Sequence, residues 1–254
     1  MRAPEAVPLN WSTVARSLTR PYRITIPMVV LVLLAPTYIF IGELLMRGRT
    51  LHAPELALDR AVPVLPAWAL VYGSLYLFLI VLPVFVVQQE EQIRRTVFAY
   101  LMVWTTAYVF FLAYPTVAPR PVTVAGEGFA AWGLRFLYSA DPPYNCFPSI
   151  HVAHSFVSAL TCYRVHRRVG IVALLCALLV AVSTLYTKQH YVLDVIAGVL
   201  LACVSYALFL RGYPRERIPE LDRRLAPVFA FGIIGILGVG IACFWVAYKL
   251  IGEG

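Results

Sequence analysis

"VGIVALLCALLVAVSTLYTKQHYVLDVIAGVLLACVSYALFL", residues 169–210, consists of two apolar runs separated by the polar island Thr187 to His190. About 20 apolar residues in a helix span a hydrocarbon core roughly 30 Å thick. Lipid offers no partners to backbone N–H and C=O groups, so only helices and closed barrels cross it. The alternation of apolar and polar residues that marks a barrel strand is absent here. This stretch therefore reads as two membrane-crossing helices joined by a tight polar turn.

The same pattern recurs outward from it in both directions. Apolar runs over 24–45, 65–87, 96–115, 149–163, 169–187, 190–210 and 227–250 predict seven helices. Of the 254 residues, 61% are hydrophobic and only 13% charged, with a mean hydropathy of +0.77. Soluble domains are excluded by that balance. The predicted fold class is all-α, a polytopic membrane helical bundle with a six-helix core and an added seventh, C-terminal helix. The fourth run is the shortest and carries Ser155, Ser158 and Thr161, so it is expected to be shielded by its neighbours rather than to face lipid. The chain divides into a basic segment over 1–23, a core over 24–211, a basic loop over 212–226, and a last helix with a short tail over 227–254.

Charge sets the orientation. Two-thirds of the 21 Lys and Arg fall with the N-terminus, at Arg2 to Arg23, Arg94, Arg95, Arg164 to Arg168 and Arg211 to Arg224. This bias predicts a cytoplasmic N-terminus and an extracytoplasmic C-terminus, in a cell inner membrane. The net charge of +8 is mostly this positive-inside signal, and without a basic domain outside the membrane it does not indicate a nucleic-acid partner. The first run is too long for a signal-peptide core and no Ala-x-Ala site follows it, so a retained anchor is expected. Ahead of it, Leu9, Trp11, Val14 and Leu18 recur at near-helical spacing between arginines, which fits either an interfacial helix or an unstructured basic tail.

Cys162, Cys176, Cys203 and Cys243 fall in spans, where they are expected as small buried hydrophobes, and Cys146 stands alone in a loop. No disulfide framework follows. Gly232, Gly235 and Gly238 are spaced as in closely packed membrane helices.

Ionisable groups at membrane depth are costly and usually functional. With the predicted topology Arg120, Ser149, His151, His154, Lys188, His190 and Asp194 all gather at one, extracytoplasmic, end of the bundle. In "HYVLD" (190–194), His190 and Asp194 stand four apart, so a helix beginning there stacks them. A carboxylate on one imidazole nitrogen fixes the tautomer and leaves the other lone pair free to attack, though a structural His–Asp pair has the same spacing. In "FPSIH" (147–151), Pro148 and Ser149 form a helix start whose amides suit an anion, and His151 in the first turn can exchange a proton with a ligand there. His154 either lines the same pocket or packs inside the bundle.

Taken together, "PSIH" at 148–151, Ser183, and "HYVLD" at 190–194 resemble the type 2 phosphatidic acid phosphatase superfamily over roughly residues 60–210. That resemblance implies His190 as nucleophile, Asp194 as its orienting partner, His151 as general acid, and Ser149 and Arg120 as phosphate ligands, with Ser183 lining the pocket. No metal or cofactor is implied. Two departures stand out: Ala113 where the family has Lys, and Thr184 where it has Arg. Lys188, one helical turn past Thr184, is expected to supply the missing cation, while Arg135 is expected at the surface. "TKQHYVLDVIAG" with "YPTVAPRP" is also similar to the branch containing inositol-phosphorylceramide synthases.

The resemblance implies an integral membrane lipid-phosphate phosphohydrolase working through a phosphohistidine. Phosphatidic acid, phosphatidylglycerol phosphate and polyprenyl diphosphates are substrates of the implied kind. A lipid or polyol hydroxyl in place of water as acceptor would make it a phosphotransferase. A proton-coupled transporter is the rival from another class, but these residues lie at helix ends and no broken helix marks a midplane site. A hydrolase holding a metal with His151, His154, His190 and Asp194 has adequate ligands but no accompanying motif.

Overall fold

The computed structural model describes residues 8–19, 37 and 48–251. The first apolar run, expected over 24–45, lies outside the described residues except for Thr37, whose hydroxyl meets that of Tyr108 at 2.9 Å. The helices are α1 (Trp11–Leu18), α2 (Ala57–Ala61), α3 (Trp68–Val86), α4 (Glu90–Ala113), α5 (Phe129–Ala140), α6 (Ile150–Val165), α7 (Arg167–Tyr186), α8 (Val192–Ser205) and α9 (Glu220–Ile251). A π-helical turn, Tyr206–Leu210, continues α8, and a single 3-10 turn, Arg215–Arg217, precedes α9. The described residues form an all-α bundle. Among the described residues, five helices are long and apolar enough to cross a membrane: α3, α4, α7, α8 with its π turn, and α9.

The sixteen-residue α6 stands in the middle, packed against α7, α3, α8 and α4. Its polar side chains Ser155, Ser158 and Thr161 are buried, as expected of a shielded span. Two of them find partners: Ser155 donates to the His151 carbonyl at 2.7 Å, and Ser158 pairs with the Tyr100 hydroxyl at 2.6 Å. His166 closes α6 and opens α7, its Nδ1 accepting the Val169 N–H at 3.3 Å. The hairpin is so tight that a Cβ on Gly170 would lie 2.2 Å from the Tyr163 Cα. Only glycine fits there.

Several expectations change. The last helix begins at Glu220 rather than 227, so the second half of the expected basic loop is helical. Its start is held by Gln89, which donates to the Asp222 carboxylate at 2.6 Å, while Arg217 reaches Glu91 at 3.0 Å just before it. Among the described residues Gly232, Gly235 and Gly238 meet no neighbouring helix: nothing lies within 4 Å of a Cβ built on any of them. Cys203 and Cys243 are exposed on the bundle's outer surface rather than buried. A lipid-facing cysteine is as apolar as its surroundings require, so the composition of a span does not report which face it occupies.

α5 lies between the runs predicted over 96–115 and 149–163, where the apolar pattern predicts no span. It carries Trp132 and Phe136 one turn apart, and these pack on Phe244 of α9 with ring centroids 4.7 and 5.0 Å away. At the N-terminus the helical alternative holds: Asn10 caps α1 by accepting the Thr13 N–H at 2.9 Å, and Val14 packs on the core while Trp11 is exposed.

Candidate active site

The site forms where the start of α6 meets the link between α7 and α8. α7 ends at Tyr186, and the chain then turns through Lys188 in the left-handed region, at φ +52. The Thr184 carbonyl accepts the N–H groups of Gln189 at 2.9 Å and His190 at 3.3 Å. This wraps the last carbonyls of the helix and throws His190 across its end. α8 begins two residues later, with Asp194 in its first turn accepting the Tyr191 N–H at 2.8 Å. His190 is therefore not the first residue of a helix, as the spacing suggested. The pair still meets, with His190 Nδ1 3.4 Å from Asp194 Oδ2.

On the far side of the same ring, His190 Nε2 lies 3.3 Å from His151 Nδ1. Ser149 caps α6 by accepting the Val152 N–H at 3.3 Å and ties the two segments together by donating its own N–H to the Asp194 carbonyl at 3.1 Å. This close crossing needs Gly198, because a Cβ there would sit 2.7 Å from the Ser149 carbonyl oxygen. Tyr76 and Tyr72 of α3 stand edge-on to His151, with centroids at 4.8 and 5.4 Å. His151 is thus held against an aromatic wall, where charge is felt strongly.

Arg120 reaches the site from the segment after α4. It donates to the Gln189 side-chain oxygen, to the Asp141 carbonyl at 2.7 Å, and lies 3.7 Å from the Asp141 carboxylate and over the Tyr138 ring at 4.7 Å. Burial pushes the Asp141 carboxyl above its usual range, opposed by the charges of Arg120 and His190. Cys146 is buried beside His190 and Asp194. Burial first, then the Asp194 carboxylate, holds its thiol well above the ordinary cysteine range, so it is no nucleophile.

Three expected residues are placed elsewhere. Lys188 Nζ donates to the Asp59 carbonyl at 2.8 Å, because the helix ends before it and turns its side chain toward α2 rather than along the face of Thr184. His154 accepts a hydrogen bond from the Trp104 indole N–H, stacks on that ring, and meets Tyr100 edge-on; it packs inside the bundle. Ser183 is fully buried, and its hydroxyl donates to the Val180 carbonyl at 2.7 Å. Arg135 lies on the surface, bonded to loop carbonyls of Val124 and Gly126.

Asp59, Asp141, Gln189 and the two tyrosines were not singled out from the sequence. Asp59 is buried in α2, with Oδ1 accepting the Val192 N–H and Oδ2 the Leu56 N–H, at 2.8 and 2.7 Å. It fixes the start of α8 behind His190. Gln189, adjacent to His190 in a four-residue polar island, carried the one signal that could have marked it.

The PAP2 superfamily model matches residues 50–208, which hold every residue of this site. The chain belongs to the PAP2 superfamily. Among curated relatives, a PA-phosphatase related-family protein of Dictyostelium discoideum is 27% identical over 133 residues, covering 47% of this chain and 24% of that protein. An uncharacterized protein of Methanocaldococcus jannaschii is 27% identical over 103 residues, covering 41% of each chain. The chain thus spans less than half the length of either. No solved structure matches. α1 and α9 lie outside the PAP2 match, whereas α2, with Asp59, lies within it.

Proposed function

We propose that this membrane protein is a lipid-phosphate phosphatase that passes the phosphoryl group through His190. The observation that carries the reading is the line Asp194, His190, His151, with one imidazole ring offering Nδ1 to a carboxylate at 3.4 Å and Nε2 to a second imidazole at 3.3 Å. A proton on His190 Nδ1, drawn to Asp194 as the pair closes from 3.4 Å to hydrogen-bond distance, leaves the Nε2 lone pair to attack phosphorus. The phosphoryl group enters between the two rings, and His151 gives a proton to the departing lipid oxygen. Asp194 stabilises the charge that develops on His190. Water then attacks phosphorus as His151 takes its proton, and the P–N bond breaks to free inorganic phosphate and His190.

Anion binding is supported by donors with nothing to bond. Arg120 Nε, Gln189 Nε2 and Asn145 Nδ2 are buried without a hydrogen-bond partner. Each such group costs about 1–3 kcal/mol when left unpaired, so phosphate oxygens are fitting acceptors. The α6 N-terminus, capped by Ser149, adds its dipole. Lipid is the favoured substrate because the site sits at the ends of lipid-facing helices, and the Arg and Lys distribution favours the extracytoplasmic face.

The test incubates the purified chain with radiolabelled lipid phosphates, with and without alcohol acceptors. Release of inorganic phosphate and an acid-labile phosphoenzyme lost in His190→Ala are expected. New phosphodiester in place of phosphate would make it a transferase. Failure to release or transfer phosphate from any lipid would overturn the proposal.

A further inference from the structure

Cys146 Sγ, a His190 imidazole nitrogen and an Asp194 carboxylate oxygen all lie within 4.8 Å of one another, and all three residues are buried. Two atoms in this cluster are unsatisfied. His190 Nδ1 and Asp194 Oδ1 have no hydrogen-bond partner, since the 3.4 Å approach of Nδ1 to Oδ2 lacks the alignment of a hydrogen bond. The thiol makes a long contact, 3.8 Å, to the Pro143 carbonyl and also meets the Thr116 hydroxyl. Its backbone is fixed by the Cys146 N–H donating to Thr116 Oγ1 at 2.9 Å.

We propose that Cys146, His190 Nδ1 and Asp194 form an inhibitory site for a thiophilic divalent cation of the zinc type. One thiolate, one neutral imidazole and one carboxylate are borderline-soft donors suited to tetrahedral zinc, with water as the fourth ligand. Thiolate and carboxylate together cancel the ion's two charges, which a buried setting demands. Magnesium and calcium, which require oxygen ligands, do not fit. On binding, the thiol releases one proton to solvent and the carboxylate keeps its charge. The imidazole remains neutral, but its proton can no longer sit on metal-bound Nδ1 and moves to Nε2. The lone pair needed for attack disappears, so the ion inhibits without touching the phosphate pocket. This inhibitory consequence rests on the proposed role of His190; the binding itself does not.

The test titrates cobalt(II) chloride into the full chain in detergent micelles and follows the near-ultraviolet thiolate-to-cobalt charge-transfer band. One equivalent should produce the band, zinc chloride should displace it, and Cys146→Ser and Cys146→Ala should remove it while the other four cysteines remain. In the phosphatase assay zinc should inhibit and magnesium should not. Measured against its own zinc-free rate, Cys146→Ser should raise the zinc concentration for half-inhibition by more than the ~10–100-fold typical of losing an outer-shell partner. Absence of the thiolate band in the wild-type chain overturns the site regardless of how the variants fold. So does a band that survives in both variants, or zinc inhibition unchanged by Cys146→Ser. A zinc-displaceable band in a chain that releases no phosphate would leave the metal site standing and refute the phosphatase reading instead.

Discussion

Gly198→Ala tests how the two halves of the site are held together. Gly198 is one turn past Asp194, where α8 crosses the first turn of α6, and the added methyl would meet the Ser149 carbonyl oxygen at 2.7 Å and Val152 Cβ at 3.1 Å. Ordinary contact begins near 3.4 Å, so α8 must move away from α6 by about 0.7 Å. Neither obstacle is a flexible side-chain end. That displacement acts on the Ser149 to Asp194 backbone bond and on the 3.3 Å line between His151 and His190. Misplacement near 1 Å can cost ~100-fold in rate, so kcat/KM should fall by roughly 10–100-fold. Stability should fall by only ~0–2 kcal/mol, because overpacking costs ~1–3 kcal/mol while alanine restores ~1 kcal/mol of helix propensity. The assay pairs phosphate release from a lipid phosphate with thermal unfolding in the same micelles. Gly73→Ala in α3, where a Cβ meets nothing within 4 Å, serves as control and should leave kcat/KM unchanged while raising stability by up to ~1 kcal/mol through helix propensity alone. Wild-type kcat/KM in folded Gly198→Ala would refute the claim that this crossing sets the catalytic geometry.

His190→Ala should abolish turnover and Asp194→Asn should lower it by on the order of 100-fold or more, read as phosphate release and trapped phosphoenzyme. EDTA should not lower activity, and vanadate, which mimics five-coordinate phosphorus, should inhibit; activity lost on chelation and restored by zinc or magnesium would contradict this mechanism. Arg120→Ala should cut kcat/KM by on the order of 100-fold, the scale for one lost electrostatic contact, whereas Arg135→Ala should behave as wild type. Asp59→Ala removes the acceptor of the part-buried Val192 and Leu56 N–H groups, so the thermal midpoint should drop by the equivalent of ~1 kcal/mol, visible in a melting curve.

The spans were legible because their signal is a length of apolar chain, which needs no knowledge of neighbours. The run read over 169–187 is α7, Arg167–Tyr186, and the short run read over 149–163 is α6, Ile150–Val165. The histidine pair was legible as a spacing, although the physical reason differs: the turn after α7, folded back onto the Thr184 carbonyl, rather than a shared helical face, delivers His190 to Asp194. Partners set by the return of distant loops were not legible. Nothing in the local sequence says that Lys188 turns to the Asp59 carbonyl, 129 residues away, or that Asp59 caps α8. α5 escaped for the same reason, since its aromatic face has meaning only beside Phe244. The spacing of Gly232, Gly235 and Gly238 is an example of the reverse error, a packing pattern on a face that meets no other described helix.

The brevity of α6 bears on how deep a substrate must travel. Sixteen residues give a rod about 24 Å long, against a hydrocarbon slab of about 30 Å. If the arginines around His166 rest at one boundary and the helix stands upright, the opposite end, where His151 begins its turn, would fall short of the other boundary by about 6 Å. A head-group phosphate resting at the water interface would have to sink by that distance to touch His190. Molecules whose tails are dissolved in the bilayer beside the bundle can make that descent sideways, while a water-soluble phosphate ester would have to shed its hydration to follow.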